Sequence, residues 1–485
     1  MPKCREFSSV IMSATTCMLL GIALGARFKS FVLIPASANS LLIALAAPLF
    51  PGGAGQPFAF VTAINAIALE IGYLCAASFL VIADYPPLGS RRRVGRTCVA
   101  VQTAPISIMM VGLRGCPGVQ GGIERHVENL APLLAARNCE VEVIARAPYV
   151  GAGKAGYWRG VAVTPLWAPR RRNFETIVHT AVAILYAAAR RPDILHIHAI
   201  GPSILTPLAR LFGLRVVVTH HGFDYERAKW KKPEKLVLKL GEYLGMRFSS
   251  ARIAVSAPIA RTVERRFRTP TTAIPNGVTI EAKEVSSTSA IEAFDLTPKR
   301  FILSVGRLVP EKRHIDLISA FEKAAAPGWK LAIVGASDYP GAYLDDLKDL
   351  ARKSPNVVMT GFQSGTALAE LYAHAGLFVL PSSHEGLSIA LLEGMAAGLP
   401  VLASDITANR DVQLPEECYF PVGNVDRLAA MIALAVRNPF SDADRRAQQA
   451  RLSERYDWAP IAERTLKVYR QVMGDTLAGD AVGGV

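Results

Sequence analysis

The sequence predicts an α/β protein built on two successive doubly wound parallel sheets, and three observations predict it. Short, near-continuous apolar runs alternate with helical patterns, as in a parallel sheet covered on both faces. The alternation occurs twice, on either side of a polar, helix-poor stretch from Glu281 to Pro298. The third observation is the stretch Leu377 to Asp405, LFVLPSSHEGLSIALLEGMAAGLPVLASD. It reads as a buried strand (Leu377 to Leu380), a polar turn, a helix opening near Leu387, a Gly-Leu-Pro break and a second strand (Val401 to Ala403). Glu385 and Glu393 flank the helix start. Unpaired N–H groups and the positive end of the helix dipole suit a phosphate there. Carboxylates repel phosphate, so they more plausibly face hydroxyl groups further along the same ligand. Phosphate plus hydroxyls points to a sugar nucleotide.

From the beginning of the chain, 485 residues with 51% hydrophobic and 19% charged residues leave room for two or three domains with sizeable cores. The mean hydropathy of +0.26 is high for a soluble protein, and the excess is concentrated at the N-terminus. Three apolar runs, Val10 to Ala26, Phe31 to Phe50 and Phe58 to Ala83, each approach or exceed the roughly 20 residues needed to cross a bilayer. Lys3 and Arg5 before the first run fit a cleaved signal peptide, but two further apolar runs directly after it argue against a simple secreted protein. Pro35, Asn39, Asn65 and Glu70 interrupt the runs, so the expectation is two or three membrane-spanning helices over 1–90. Arg91, Arg92, Arg93 and Arg96 follow the last run, while the loop Pro51 to Pro57 carries no charge. The positive-inside rule then places the remainder of the chain in the cytoplasm, at the inner (cytoplasmic) membrane. The net charge of +14, from 54 basic and 40 acidic residues, favours an anionic partner. Basic residues beside apolar segments make that partner a membrane surface and not nucleic acid. Seven cysteines without CxxC or metal-ligand spacing read as reduced thiols.

A linker over 91–105 leads to the first series, 106–290. It opens with a strand at Ile106 to Leu113, a glycine-rich loop from Gly115 to Gly122, and a helix from Ile123 to Arg137. Met109 or Met110 is a natural start for a self-contained cytoplasmic protein, so the N-terminal segment reads as a fused module or a misassigned start. Further strands are expected at Val141 to Ile144, Val161 to Pro165, Ile194 to Ile197, Val216 to Thr219, Ile253 to Val255 and Thr272 to Ile274. Helices are expected at Thr176 to Arg190, Ser203 to Phe212, Glu234 to Phe248 and Pro258 to Phe267. The second series, 299–455, has strands at Phe301 to Val305, Lys330 to Val334, Val357 to Met359, Leu377 to Leu380, Val401 to Ala403 and Cys418 to Phe420. Its helices start near Lys312, Tyr343, Gly365, Leu387 and Ala408. A last helix, Trp458 to Met473 within 456–475, is expected to cross back over the domains. Two such sheets make a cleft between their strand C-terminal ends, where these folds place ligands.

Over Ile106 to Met473 the chain resembles the retaining glycosyltransferases of GT-B fold, family 4 (glycosyltransferase group 1 type). The motifs, in order, are GGIERH, HIHA, THHG, IPNGV, SVGRLVPEKR and SSHEGLSIALLEGMAAGLPV, the last with the E-x7-E pair Glu385 and Glu393. A bare E-x7-E is weak, but set between a buried strand and GLPV it is specific. The resemblance implies two Rossmann-like domains facing a cleft, the first binding acceptor and the second the nucleotide sugar, here preceded by an α-helical membrane region.

The chemistry needs fixed positive charge where the diphosphate leaves. Arg307 and Lys312, after a strand and before a helix, suit that task, and the resemblance assigns it to them. The family has glycine after the lysine where this chain has Arg313, which leaves a third phosphate contact open. Glu393 resembles the glutamate that binds the ribose hydroxyls, and Glu385 the one that contacts the donor sugar. Ser383, His384, Gly386, Leu387 and Ser388 would bring the turn to the diphosphate or sugar. Gly121 and Gly122 permit close backbone approach, and in the family this loop lies against donor phosphates and acceptor. The resemblance places His221 in the cleft, with His220 one residue away as the alternative. His196 and His198 share one face of a strand, and a satisfied core histidine is the expected reading for at least one of them.

No aspartate pair of D-x-D type marks a cleft loop, so no metal and no cofactor is expected, the nucleotide sugar being a substrate. Retention of configuration follows from the resemblance alone and leaves double displacement and same-face attack open, with the second favoured. A nucleotide-sugar epimerase of GT-B fold and a non-catalytic subunit of a polysaccharide assembly complex are the competing classes. The apolar runs, Arg91 to Arg96, Arg170 to Arg172 and Lys229 to Lys235 point to a lipid-linked glycan acceptor in polysaccharide or glycolipid biosynthesis.

Overall fold

The computed structural model describes residues 104–150, 156–169, 175–227, 230–279, 286–337, 341–438 and 440–474. The three apolar runs expected to span a membrane, Arg91 to Arg96 and Arg170 to Arg172 lie outside them. Among the described residues no helix is long and apolar enough to cross a membrane.

The first series runs β1 (Ile106–Val111), α1 (Gly122–Ala135), β2 (Cys139–Arg146), α2 (Ala147–Val150), β3 (Gly156–Trp158), β4 (Val161–Leu166), α3 (Glu175–Arg190), β5 (Ile194–His198), α4 (Thr206–Leu211), β6 (Val216–His220), α5 (Lys232–Phe248), β7 (Ala251–Ala254), α6 (Ala257–Phe267) and β8 (Thr272–Ala273). These strands form one sheet in the order β3-β4-β2-β1-β5-β6-β7-β8. Every neighbouring pair in it is parallel except β3 and β4. Strands β5 and β6 are buried along their whole length, and their apolar residues are interrupted only by His196, His198, Thr219 and His220. Two local features depart from expectation. The short edge strand β3 forms because Arg159 and Gly160 both take positive φ, the two-residue hairpin geometry, without the usual Asn-Gly signal. The helix expected over Ser203 to Phe212 splits into a 3-10 turn (Pro202–Leu205) and α4, because Pro207 cannot donate to the preceding turn.

The second series runs α7 (Ser289–Ala293), β9 (Phe301–Val305), α8 (His314–Ala324), β10 (Lys330–Val334), α9 (Ala342–Lys353), β11 (Val357–Gly361), α10 (Gly365–His374), β12 (Leu377–Leu380), α11 (Ile389–Ala396), β13 (Val401–Ser404), α12 (Thr407–Arg410), β14 (Tyr419–Phe420), α13 (Val425–Ala435), α14 (Asp442–Tyr456) and α15 (Trp458–Met473). Its sheet is parallel throughout, in the order β11-β10-β9-β12-β13-β14. Helix α7 lies in the stretch expected to lack helix: the Glu370 carboxylate accepts the Ala290 N–H at 2.7 Å, a long-range cap that no local pattern carries.

Each sheet has its own apolar core. Ile108, Met110, Val127, Leu130 and Val143 centre the first, and Ile461, Leu466 and Tyr469 of α15 are part of it. Ile302, Leu317, Ile333, Val379 and Ile432 centre the second. Helix α15 thus returns to the first sheet, while α14 is tied to the second by the Gln448 amide, which donates to the carbonyls of Met395 and Leu399.

Candidate active site

The turns after β1, β6, β9 and β12 carry the expected site residues. After β9 the chain makes a 3-10 turn over Pro310–Lys312 and enters α8 through Arg313 at φ 52°. This left-handed conformation is one that glycine adopts without strain, the physical reason for a glycine preference after the lysine. The Arg313 guanidinium pairs with Asp316 at 2.5 Å and lines a cleft pocket of about 420 Å³ with Glu226, Arg227, Glu311, Ser383 and His384. Arg307 sits on the same turn, where its carbonyl accepts the Val309 N–H. The Lys312 stem lies over Gly306, whose missing Cβ leaves it room.

Lys312 Nζ donates to Glu385 Oε1 at 2.5 Å, with the two side chains 15% and 12% exposed. Burial alone raises the Glu385 carboxyl, but the Lys312 charge and hydrogen bond, with the Arg227 charge, outweigh it and hold the carboxyl below its ordinary range. The phosphate-binding cation and the sugar-binding carboxylate expected from the sequence therefore meet directly.

The rest of the β12–α11 turn is more occupied by protein than the sequence indicates. The Ser383 N–H and hydroxyl both donate to the Glu311 carbonyl, at 2.8 and 3.2 Å, so that N–H is not directed at a diphosphate. Helix α11 begins at Ile389 and not Leu387, with Ser388 as its N-cap, accepting the Leu391 N–H. The Leu387 carbonyl accepts the Asn276 amide at 2.9 Å. A Cβ on Gly386 would stand 1.8 Å from the His221 carbonyl oxygen, and Gly386 packs on Gly222. His384 Nδ1 lies 3.4 Å from Glu226 Oε2. Its Nε2 has no hydrogen-bond partner among the described residues.

Glu393 projects from α11 toward the first sheet. Its Oε1 accepts from Arg125 Nε at 3.0 Å and its Oε2 from the Tyr372 hydroxyl at 3.1 Å. Arg125 stands on α1 just after the glycine loop. Gly121 takes a positive φ of 152°, with no space for a Cβ beside the Glu124 carboxylate, and that carboxylate accepts the Arg114 N–H at 3.0 Å. Open space lies where a Gly122 Cβ would be.

The adjacent histidines separate by role. His220 turns into the first domain, where Nε2 meets Glu242 at 3.2 Å and Nδ1 accepts the Gly222 N–H. His221 faces the other way, its Nε2 3.1 Å from His198 Nδ1 and its ring edge-on to His126. His196 is a satisfied core histidine, bonded to the Tyr469 and Thr219 hydroxyls at 2.7 Å each. Burial pushes His126 down to about 4 and His196 to about 3. Burial and neighbouring imidazoles take His198 and His221 well below the usual histidine range. At neutral pH these rings are uncharged, able to donate, accept or ligate, but not to supply a cation. Because Asn276 donates through its amide nitrogen to Leu387, its Oδ1 faces His126 at 2.9 Å. His126 Nδ1 then carries the proton and Nε2 keeps its lone pair. His126, His198 and His221 bring ligand atoms within 4.8 Å of one another, a set able to hold a metal ion.

Arg125, His126, Asn276, Glu311 and Tyr372 were given no role by the sequence reading. Arg125 and His126 belong to GGIERH and Asn276 to IPNGV, so their motifs were visible, but their partners lie 268, 150 and 111 residues away. Glu311 is 5% exposed, and its nearest charged partner is Arg227 at 3.9 Å.

The family model described as Glycosyltransferase Family 4 matches residues 120–282, and the one described as Glycosyl transferases group 1 matches residues 289–453. A glycogen synthase of Mycobacterium tuberculosis is 28% identical over 403 residues, covering 75% of this chain and 94% of that protein. A phosphatidyl-myo-inositol mannosyltransferase of Mycolicibacterium smegmatis is 28% identical over 383 residues, covering 74% of this chain and 93% of that protein. The solved structure of HepE from Anabaena in complex with UDP and glucose shares the fold at TM-score 0.61 and 18% identity, covering 76% of this chain and all of that one.

Proposed function

We propose that this chain, a glycosyltransferase of GT-B type with a family 4 domain followed by a group 1 domain, moves a hexosyl group from a nucleotide sugar to a lipid-linked glycan acceptor in polysaccharide or glycolipid biosynthesis. The observation that carries the reading is Lys312, set on the turn it shares with Arg307 and held against the partly buried Glu385. Arg307 and Lys312 take up charge as the diphosphate leaves, Glu385 holds the sugar hydroxyls, and Glu393 holds the ribose once Arg125 gives way. Two cations at the diphosphate supply what a metal would, so transfer needs none. A structural relative that carries UDP and glucose supports this type of donor.

The reaction retains configuration by same-face attack of the acceptor hydroxyl. The ring and hydrogen-bond neighbours of the His221 imidazole are His126 and His198, groups that do not act as the covalent carboxylate nucleophile double displacement requires. The acceptor reading is supported by a relative named for phosphatidyl-myo-inositol and by the apolar runs ahead of residue 91 with their following arginines. Both fit an enzyme held at the inner membrane with its cleft in the cytoplasm.

Membranes containing the full chain are supplied with a panel of nucleotide sugars, and both released nucleotide and radiolabelled lipid product are followed. Nucleotide release matched by label in lipid is the expected result. Epimerised donor without transfer would replace this reading with an epimerase, and no turnover of any donor with a non-catalytic subunit.

A further inference from the structure

Helix α5 presents apolar residues on the side away from the protein. Its inner face is Gly241, Glu242, Gly245 and Met246. It is seated tightly: a Cβ on Gly241 would stand 2.3 Å from the Ile200 carbonyl, and one on Gly245 2.5 Å from the Ser203 Cβ. That close approach fixes how the helix is rotated. On the opposite face Leu236, Leu240 and Tyr243 are 69%, 46% and 48% exposed. Their i, i+4, i+7 spacing makes one stripe along the axis. Val237 and Phe248 extend it on one flank, and Leu211, at the end of the neighbouring α4, is 81% exposed.

The charges around the stripe have one sign. Lys232 and Lys239 run along its other flank, Lys231 precedes it and Arg247 closes it, all exposed. The two glutamates of the helix are engaged elsewhere. Glu234 accepts the Lys231 N–H at 2.8 Å, and buried Glu242 is held by His220 and by Arg266 at 2.9 Å. An apolar stripe edged by lysines on an exposed helix is the pattern of a helix lying in a membrane interface. A protein partner of ordinary composition would not require every rim charge to be positive, whereas an anionic lipid surface does.

We propose that α5 docks on an anionic lipid surface, with Leu236, Leu240 and Tyr243 entering the headgroup region and Lys232, Lys239 and Arg247 meeting lipid phosphates. Each such cation strengthens binding on the order of fivefold. The proposal rests on the membrane-borne acceptor described above and gives the first domain a docking face of its own.

The test uses the full chain reconstituted in phosphatidylcholine vesicles, with and without phosphatidylglycerol, and reads amide exchange across 231–248. With phosphatidylglycerol, exchange is expected to slow about tenfold. The double variant L236E/L240E should exchange as fast as in detergent, while its nucleotide release in detergent stays at wild-type level. That second readout separates loss of docking from failure of the glycosyltransferase reading. No slowing on either vesicle overturns the proposal, as does equal slowing on phosphatidylcholine alone. Protection already present in lipid-free detergent would show the face covered by a second copy or by the chain's own apolar runs, and would also overturn it.

Discussion

Replacing Lys312 with methionine keeps its length and removes its charge, leaving the Glu385 carboxylate with no cation at 2.5 Å and only 12% exposure. Breaking such a buried pair costs about 3–5 kcal/mol; because both partners keep some solvent, the lower end, about 3 kcal/mol, is expected. Glu385→Gln should cost a similar amount. If the two changes acted independently the double variant would lose about 6 kcal/mol, but two neutral groups of similar shape leave no stranded charge, so its loss should not exceed that of either single variant. Urea unfolding measures all three. Catalysis should behave differently: losing the cation at the leaving diphosphate lowers turnover about 100- to 1,000-fold, and the double variant should recover none of it. In the wild type Glu385 titrates below its ordinary value of 4.5, so its stabilisation is complete above that value and is lost as pH falls through the lowered one. In Lys312→Met, burial prevails and raises the carboxyl, so the deficit of the variant should shrink as pH falls through that raised value. Additive stability losses, or wild-type turnover in Lys312→Met, would refute the paired arrangement and its role.

Arg125→Met frees Glu393; since Arg125 is 43% exposed, its pair is worth about 0.2–1 kcal/mol, and donor KM should fall about 1.5- to 5-fold, whereas a rise in KM would place Arg125 on the donor itself. Gly386→Ala puts a Cβ 1.8 Å from the His221 carbonyl, so stability should drop about 1–3 kcal/mol by urea unfolding and donor turnover at least tenfold with it. His126 is held down at about 4, and His179, His196 and His314 at about 3, while in the unfolded chain each takes its proton near 6.5. Folding stability should therefore fall steadily as pH is lowered from about 6.5 to 5, above the carboxylate range, and a flat melting temperature across that window would refute buried, neutral histidines.

The fold was largely legible because strands buried on both faces cannot hide their apolar runs, as β5, β6 and β12 show. Glu385 and Glu393 were legible for a related reason: strand, turn and helix lie in one short stretch of chain. What escaped was set by groups distant in sequence. Helix α7 depends on Glu370, about 80 residues on. Lys312 and Glu385 were each identified, but not that they pair across 73 residues. The Ser383 N–H was assigned to a ligand because a turn before a helix usually leaves such groups unpaired, whereas it bonds to the Glu311 carbonyl. Periodicity reports which face of an element is buried and is silent on which partner buries it.

Three of the contacts between the domains differ in what a donor must displace. The Asn276–Leu387 bond uses a backbone carbonyl from which a nucleotide sugar, itself rich in acceptors, gains little. The packing of Gly222 on Gly386 uses no polar group at all. Of the three, the Arg125–Glu393 pair alone occupies a carboxylate that the proposed chemistry assigns to the ribose. A donor entering the cleft therefore has to break one partly exposed ion pair and can leave the other two contacts in place. The domains need not separate for Glu393 to exchange its partner, because Tyr372 still holds Oε2 while Oε1 is transferred from guanidinium to hydroxyl. On this arrangement removal of Arg125 acts on donor affinity and leaves the maximal rate nearly unchanged, whereas removal of Asn276 loosens a polar tie between the domains that persists through turnover and acts on kcat. Measuring kcat and KM for Arg125→Met and Asn276→Ala side by side separates the two, and a kcat loss in Arg125→Met as large as that in Asn276→Ala would show that the ion pair is part of the closed, reacting state after all.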